Sequence, residues 1–397
     1  MAAWCPRGIL AFALLAAAGC AGKSGASGRT QAPQAEARGK AAEADDPHEV
    51  LSAAEVALEQ EKAAEAVALF GRALAAGLDG DDDLRRAWLG LAGAHELLHD
   101  CNGVLRATEA YLERFAGASD RVQMVARRGA CEAELGRWEA SATSFAEVAA
   151  APDQLPSTRI EALARQGYAL FELDQWDDAD RVLARADEVF EAAERDQSER
   201  FSSYYFVGMA RFYRAAILHR KFRDVAIVLP ETVMAERFKR KLDLLVKAQD
   251  AYNHTIKAKH MFWVSASGYQ LGHLFGEFYD ALMYAPVPDW LDERQRRIYY
   301  EELKTQIRPV VDKAVWVLEK NLETARRLGY ESEFVAQTEA KLSHLKQVLV
   351  SDEAGLGKPH PRLVAEETAA VGPPIETGTQ APADRKLFVP PMTPLAP

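Results

Sequence analysis

The sequence predicts an all-α solenoid of helical hairpins, with longer and less regular helices in its C-terminal half. Three observations predict it. First, the stretch Glu161–Phe190 reads as two helices whose seam is set by Gly167, Leu170, Ala179, Leu183 and Ala186. Small residues let antiparallel helices approach, and leucines fill the space between them. Second, the same frame recurs upstream, its leading small residue falling at 54, 92, 129 and 167, spacings of 38, 37 and 38. Independent amphipathic helices would not hold that register. Third, beyond Arg200 the frame stretches into longer helices, broken near Pro230 and at the hard turn Ala285–Trp290.

Composition agrees with a folded globular chain. The 397 residues are 48% hydrophobic and 27% charged, and the net charge is −11 with pI near 5.5. That balance argues against a nucleic-acid binder, which needs a basic face to displace counterions.

The first nineteen residues read as a secretory signal (1–19). Arg7 is followed by the apolar run Ile9–Ala18, too short for the ~20 residues that cross a bilayer. It ends in LAAAGC, Leu15–Cys20, which resembles a bacterial lipobox with Ala17 in place of the usual leucine. The resemblance implies acylation of Cys20. Ala21 follows, where a retention signal for the inner membrane would place Asp, so the resemblance implies an anchor in the outer membrane, facing the periplasm. More than one acyl chain makes such anchoring stable. An ordinary signal peptide cut elsewhere is the alternative. From Cys20 to residue 47 the chain is small, polar and charged, a flexible tether reaching at most ~95 Å.

Residues 48–200 hold four repeats. Ala54, Ala66, Phe70 and Ala73 define the first. Ala92, Val104, Thr108 and Tyr111 fit the second, poorly in its second helix. Gly129, Gly136, Ser141 and Phe145 fit the third, and the Glu161–Phe190 stretch is the fourth. The pattern resembles the tetratricopeptide repeat (TPR), whose small residues occupy positions 8, 20 and 27 and whose large ones occupy 11 and 24. Surplus length lies in connections such as 78–83 and 151–156.

Residues 201–350 keep the theme with longer helices. Helices are expected over 201–221, 234–259 and 262–284. Ala248 and Tyr252 resemble positions 20 and 24, and Gly268 and Leu271 resemble the next 8 and 11. From Leu291 the chain is helical, with a kink or break at Pro309. Lys313–Leu328 gives a second helix through Ala314 and Leu318, and a last helix near 331–349 caps the array. Residues 351–397 carry nine of the 18 prolines and read as a disordered tail. Its end, KLFVPPMTPLAP, is a candidate docking peptide.

The sharpest chemical motif is HELLH. His95 and His99 on one helix face would ligate zinc, with Glu96 as general base. Three features turn the reading to a pair of histidines at a helix end. The motif lies inside a repeat, Asp100 follows it, and no third ligand stands where a metzincin would place one, since Asn102 and Leu105 occupy those positions. The expectation is therefore no catalytic residue, no metal, no cofactor and no small-molecule substrate. Cys101 and Cys131 could form a disulfide in an oxidising compartment. The pair Gly268 and Gly272 reads as a close-packing site.

The TPR resemblance implies a concave groove lined by the first helix of each repeat. By register, Arg86, Glu96, Tyr168 and Phe171 would face it. Members that clamp a C-terminal carboxylate use Lys and Asn at positions 5 and 9. Here those positions hold Leu51, Leu89, Ala126 and Ala164, and Glu55, Gly93, Ala130 and Tyr168, so a protein surface or extended segment is the expected ligand. Residues 211–260 carry 12 Lys/Arg against 5 Asp/Glu, with Arg237, Lys239, Arg240 and Lys241 bunched. They form either a solvated helix face or a basic patch for an acidic partner. The segment 284–329, from YAPVPDW onward, resembles the C-terminal helical part of TPR lipoproteins of myxobacteria, including the TPR component of their gliding-motility envelope machinery. That resemblance implies a non-enzymatic scaffold binding other envelope proteins. An accessory lipoprotein for outer-membrane protein assembly or peptidoglycan synthesis is the alternative.

Overall fold

In every hairpin of the repeat region the chain turns on one left-handed residue. Glu61, His99, Gly136 and Asp174 have φ of 56, 54, 70 and 57°, and each lies seven residues after its repeat's leading small residue. The next N–H in each case donates five residues back: Lys62 to Ala57, Asp100 to His95, Arg137 to Glu132 and Gln175 to Leu170, at 2.8–3.0 Å. This closes the first helix and aims the chain back along it.

A computed structural model describes residues 46–353. The signal peptide, Cys20, most of the tether and nearly all of the tail lie outside these residues. The described part contains thirteen helices and no strand. The first four hairpins are α1 (Pro47–Glu59) with α2 (Ala63–Ala76), α3 (Asp81–Leu97) with α4 (Cys101–Arg114), α5 (Arg121–Glu134) with α6 (Trp138–Ala150), and α7 (Pro156–Glu172) with α8 (Trp176–Asp196). The sequence frame is also the packing frame. Ala54, Ala66, Phe70, Ala73, Ala92, Val104, Thr108, Tyr111, Ser141, Ala179 and Leu183 are all fully buried, including the second helix of repeat 2 that fits the pattern poorly. Leu170 packs on the core only partly buried.

The long helices follow: α9 (Tyr205–Arg223), α10 (Glu231–Ile256), α11 (Met261–Met283), α12 (Glu293–Arg327) and α13 (Glu333–Glu353). Two sequence expectations are corrected here. Pro309 neither ends nor divides a helix, because α12 runs 35 residues through it. A capping box starts the helix: Asp292 accepts from the Gln295 N–H at 2.8 Å and Gln295 accepts from the Asp292 N–H at 2.9 Å. An internal proline costs about 3 kcal/mol. Burial of Ile307, Val311, Ala314, Leu318 and Leu322 along one face offsets it. The second correction is register. Gly272, one turn beyond Gly268, is the residue that lies under Leu318. A Cβ there would be 2.4 Å from Leu318 Cδ2, as a Cβ at Gly167 would be 2.4 Å from Leu183 Cδ2. Gly268 packs instead against Asn321, so both glycines are close-packing sites.

Among the first helices α1 meets α3, α7 meets α9, α9 meets α11, and α11 meets α13. From α7 onward the first helices therefore line one continuous face, called the inner face below. One apolar core runs from Val125 to Leu345. The first two hairpins hold smaller separate clusters around Phe70, Tyr111 and Val104. No described helix is long and apolar enough to cross a membrane.

Candidate functional site: the inner groove

The inner face changes character along its length. In the first three repeats, ion pairs lace one first helix to the next. Arg86 of α3 grips both carboxylate oxygens of Glu55 of α1, at 2.9 and 2.6 Å. Glu96 of α3 pairs with the buried Arg127 of α5. Arg85 pairs with Asp120 at the start of α5 at 2.9 Å. Burial raises the Glu96 carboxyl, and the charge of Arg127 opposes that rise. Of the four residues expected in the groove, Arg86 and Glu96 are thus engaged in joining repeats.

From α7 onward the face is aromatic. Tyr168 is buried beneath Trp138 and Tyr213, with ring centroids 5.4 and 4.7 Å away, so it supports the groove rather than lining it. Phe171 does line it, with its ring 5.2 Å from that of Tyr213. The groove there holds a cavity of about 90 Å³ between α7, α9, α11 and α13. Phe171 and Glu172 form one wall. Tyr269, Gln270 and Gln337 form the other, and Arg220 and Arg223 also line the cavity. That volume takes a few waters or one side chain of a partner.

A largely buried polar cluster, which reaches the cavity through His219, Arg223, Tyr252 and His273, forms its floor. Glu277 Oε2 accepts from His219 Nε2 at 2.7 Å and from Arg223 Nε at 3.0 Å. Its Oε1 accepts from His273 Nε2 at 2.8 Å and from Arg223 Nη2 at 2.8 Å. His219 Nδ1 completes the network with the Tyr252 hydroxyl at 3.1 Å. A carboxylate only accepts, so His219 carries its proton on Nε2 and accepts at Nδ1 from Tyr252. Burial pushes the His219 imidazole down to about 4 and outweighs the pull of Glu277, so the ring is neutral at pH 7. Burial would raise the Glu277 carboxyl. The hydrogen bonds it accepts from His219 and His273 and its two-point contact with the charged Arg223 overcome it, and Glu277 stays ionised. These hydrogen bonds fix α9, α10 and α11 to one another, with only the second ring nitrogen of His273, Nδ1, left without a partner inside the cluster. Sequence reading singled out neither His219 nor its link to Glu277, because 58 residues separate them.

The basic patch is corrected at one residue. Arg237, Lys239 and Arg240 are exposed, but Lys241 is 4% exposed. Its ammonium donates to the carbonyls of Phe222 and Val225 at 2.8 and 3.0 Å. Burial lowers it to about 8. Lys241 falls in helical step with the buried Leu244, Leu245, Ala248 and Tyr252, so it fastens α10 to the end of α9.

The HELLH histidines do not share a helix face. α3 ends at Leu97, and His99 is the left-handed turn residue of its repeat. His95 turns its Nδ1 to Asp100 Oδ2 at 3.0 Å, and Glu96 is held by Arg127. Cys101 and Cys131 are buried free thiols. Most aromatics of residues 201–316 are core or partly buried, but Trp290 and Trp316 are 71% and 59% exposed.

No family model matches the chain, and no curated protein matches it significantly. Among solved structures it is similar to a TPR repeats protein from Bacteroides fragilis, at 12% identity and TM-score 0.31, over 66% of this chain and 98% of that one. It is similar to a Rap protein complexed with competence and sporulation factor, at 13% identity and TM-score 0.32, over 77% and 76%. A computationally designed self-assembling cyclic homooligomer gives 11% identity and TM-score 0.28, over 76% and 95%. Likenesses this loose carry no argument, and the fold rests on the helices and turns described above.

Proposed function

We propose that this chain is a non-enzymatic scaffold that binds other proteins through the inner groove between α7 and α13. The observation that carries the reading is the groove itself. It is a pocketed surface with aromatic walls, charges of both signs in its lining, and a cavity sized for one inserted side chain. Aromatic and arginine side chains around a pocket are the usual anchors of protein interfaces. A hydrogen-bonded floor keeps the groove's shape without the partner, which lowers the ordering cost of binding.

The sequence carries the rest of the proposal. The lipobox-like LAAAGC supports acylation at Cys20 and a place on the periplasmic side of the outer membrane. The 284–329 segment supports membership of a multiprotein envelope complex, with myxobacterial gliding machinery the first choice. A photo-crosslinking residue at Gln270 or Gln337, inside the groove, tests both parts. The expected products are envelope proteins crosslinked from the groove and not from Glu188, on the second helix α8. Motility-complex subunits would support the gliding reading. Barrel-assembly or cell-wall synthesis proteins would replace it with the accessory-factor reading. No groove-specific product would remove the scaffold reading. Cys20→Ser is expected to move the protein out of the membrane fraction.

A further inference from the structure

Cys101 is the first residue of α4, and Cys131 sits near the end of α5, one repeat further on. The hairpin packing brings both thiols to the junction of repeats 2 and 3. There they meet Glu134, the last residue of α5. One donor atom from each residue lies within 4.8 Å of the other two, and the Cys101 thiol donates to Glu134 Oε2 at 3.0 Å. Both thiols are buried, while Glu134 is exposed and forms the solvent side of the cluster. The burial is ordinary for cysteine. A carboxylate closed over two adjacent sulfurs is not needed by the packing, because Glu134 sits at a helix end with water available.

We propose that Cys101, Cys131 and Glu134 bind one divalent zinc ion, with water completing its coordination from the Glu134 side. This departs from the sequence expectation of no metal, and it is independent of the scaffold reading. Two sulfurs and one carboxylate suit a borderline-soft cation that accepts four ligands. They do not suit Mg²⁺ or Ca²⁺, which take oxygen shells. Without metal the Cys101 thiol carries its proton, which it donates to Glu134 Oε2. On binding, two S–H bonds break, two protons pass to the buffer and two Zn–S bonds form, with no change of oxidation state.

The test uses the full chain with Cys5→Ser and Cys20→Ser, so that Cys101 and Cys131 are the only thiols. The reduced, chelator-treated protein is titrated with Zn²⁺ in two buffers of different ionisation enthalpy, and with Co²⁺ as a spectroscopic probe. The expected result is one metal per chain, close to two protons released, and a sulfur-to-cobalt charge-transfer band. Cys131→Ser should remove the band, and Glu134→Gln, a surface change that leaves the fold intact, should weaken binding at least tenfold. Cobalt binding without the charge-transfer band would overturn the proposal. So would a stoichiometry unchanged by Cys131→Ser, affinity unchanged by Glu134→Gln, or thiols that link as a disulfide and bind no zinc even after reduction.

Discussion

Leu183 lies so close over Gly167 that a Cβ on the glycine would sit 2.4 Å from Leu183 Cδ2. The same contact recurs between Leu318 and Gly272, more than a hundred residues later. Two helices cross at each point with only a hydrogen between backbone and leucine.

Gly167→Ala and Gly272→Ala are therefore expected to destabilise the fold by roughly 1–3 kcal/mol through overpacking. Gly71→Ala is the control. A Cβ there meets nothing within 4 Å, so a gain of up to about 1 kcal/mol in helix propensity is expected. Denaturant unfolding of the three variants checks the contrast, and equal effects would refute the close-approach account.

His219 makes stability depend on pH. Its folded pKa of about 4 lies below the ordinary 6.5. The unfolded chain then binds a proton over the window in which the folded ring does not. This contribution is complete above pH 6.5 and is lost as pH falls toward 4. Between pH 7.5 and 5 it amounts to about 2 kcal/mol. His219→Gln should lack this loss, read as a smaller difference between denaturation midpoints at the two pH values.

Lys241 acts at the other end of the scale. Its folded pKa of about 8 lies below the ordinary 10.5, so the folded state gives up its proton first as pH rises. Stability should increase from pH 7.5 to 9.5 by roughly 2 kcal/mol. Lys241→Met should flatten that rise, and the slope of denaturation midpoint against pH is the readout.

Arg211 and Asp187 form a buried pair between α9 and α8, with Nη2 to Oδ1 at 2.6 Å and both side chains 8% exposed. Asp187→Ala leaves an uncompensated charge and should cost about 3–5 kcal/mol. The double variant Arg211→Met with Asp187→Leu should recover most of it, as melting temperatures would show.

The hairpin frame was legible because every repeat writes the same small and large residues at the same offsets. Even the left-handed turn residues keep the interval, though only Gly136 advertises itself as one. Glu61, His99 and Asp174 hide the turn behind ordinary side chains, which is why HELLH looked like a metal motif. Lys241 reads as surface charge because three cations precede it, yet its spacing from Leu244, Leu245, Ala248 and Tyr252 already placed it on the buried face. Pro309 reads as a break because a single helix cannot show the apolar neighbours that offset the lost hydrogen bond. The Glu277 floor needed the stack itself, since His219 on α9 and Glu277 on α11 are 58 residues apart with the whole of α10 between them.

The division of the core has a mechanical consequence. From Val125 onward the apolar contacts are continuous, whereas the first two hairpins rest on small clusters with ion pairs between them. Under tension applied through the N-terminal segment, those two hairpins would yield first and extend the chain while the groove kept its shape. A partner held between α7 and α13 would then feel a compliant spring at one end of a stiff clamp.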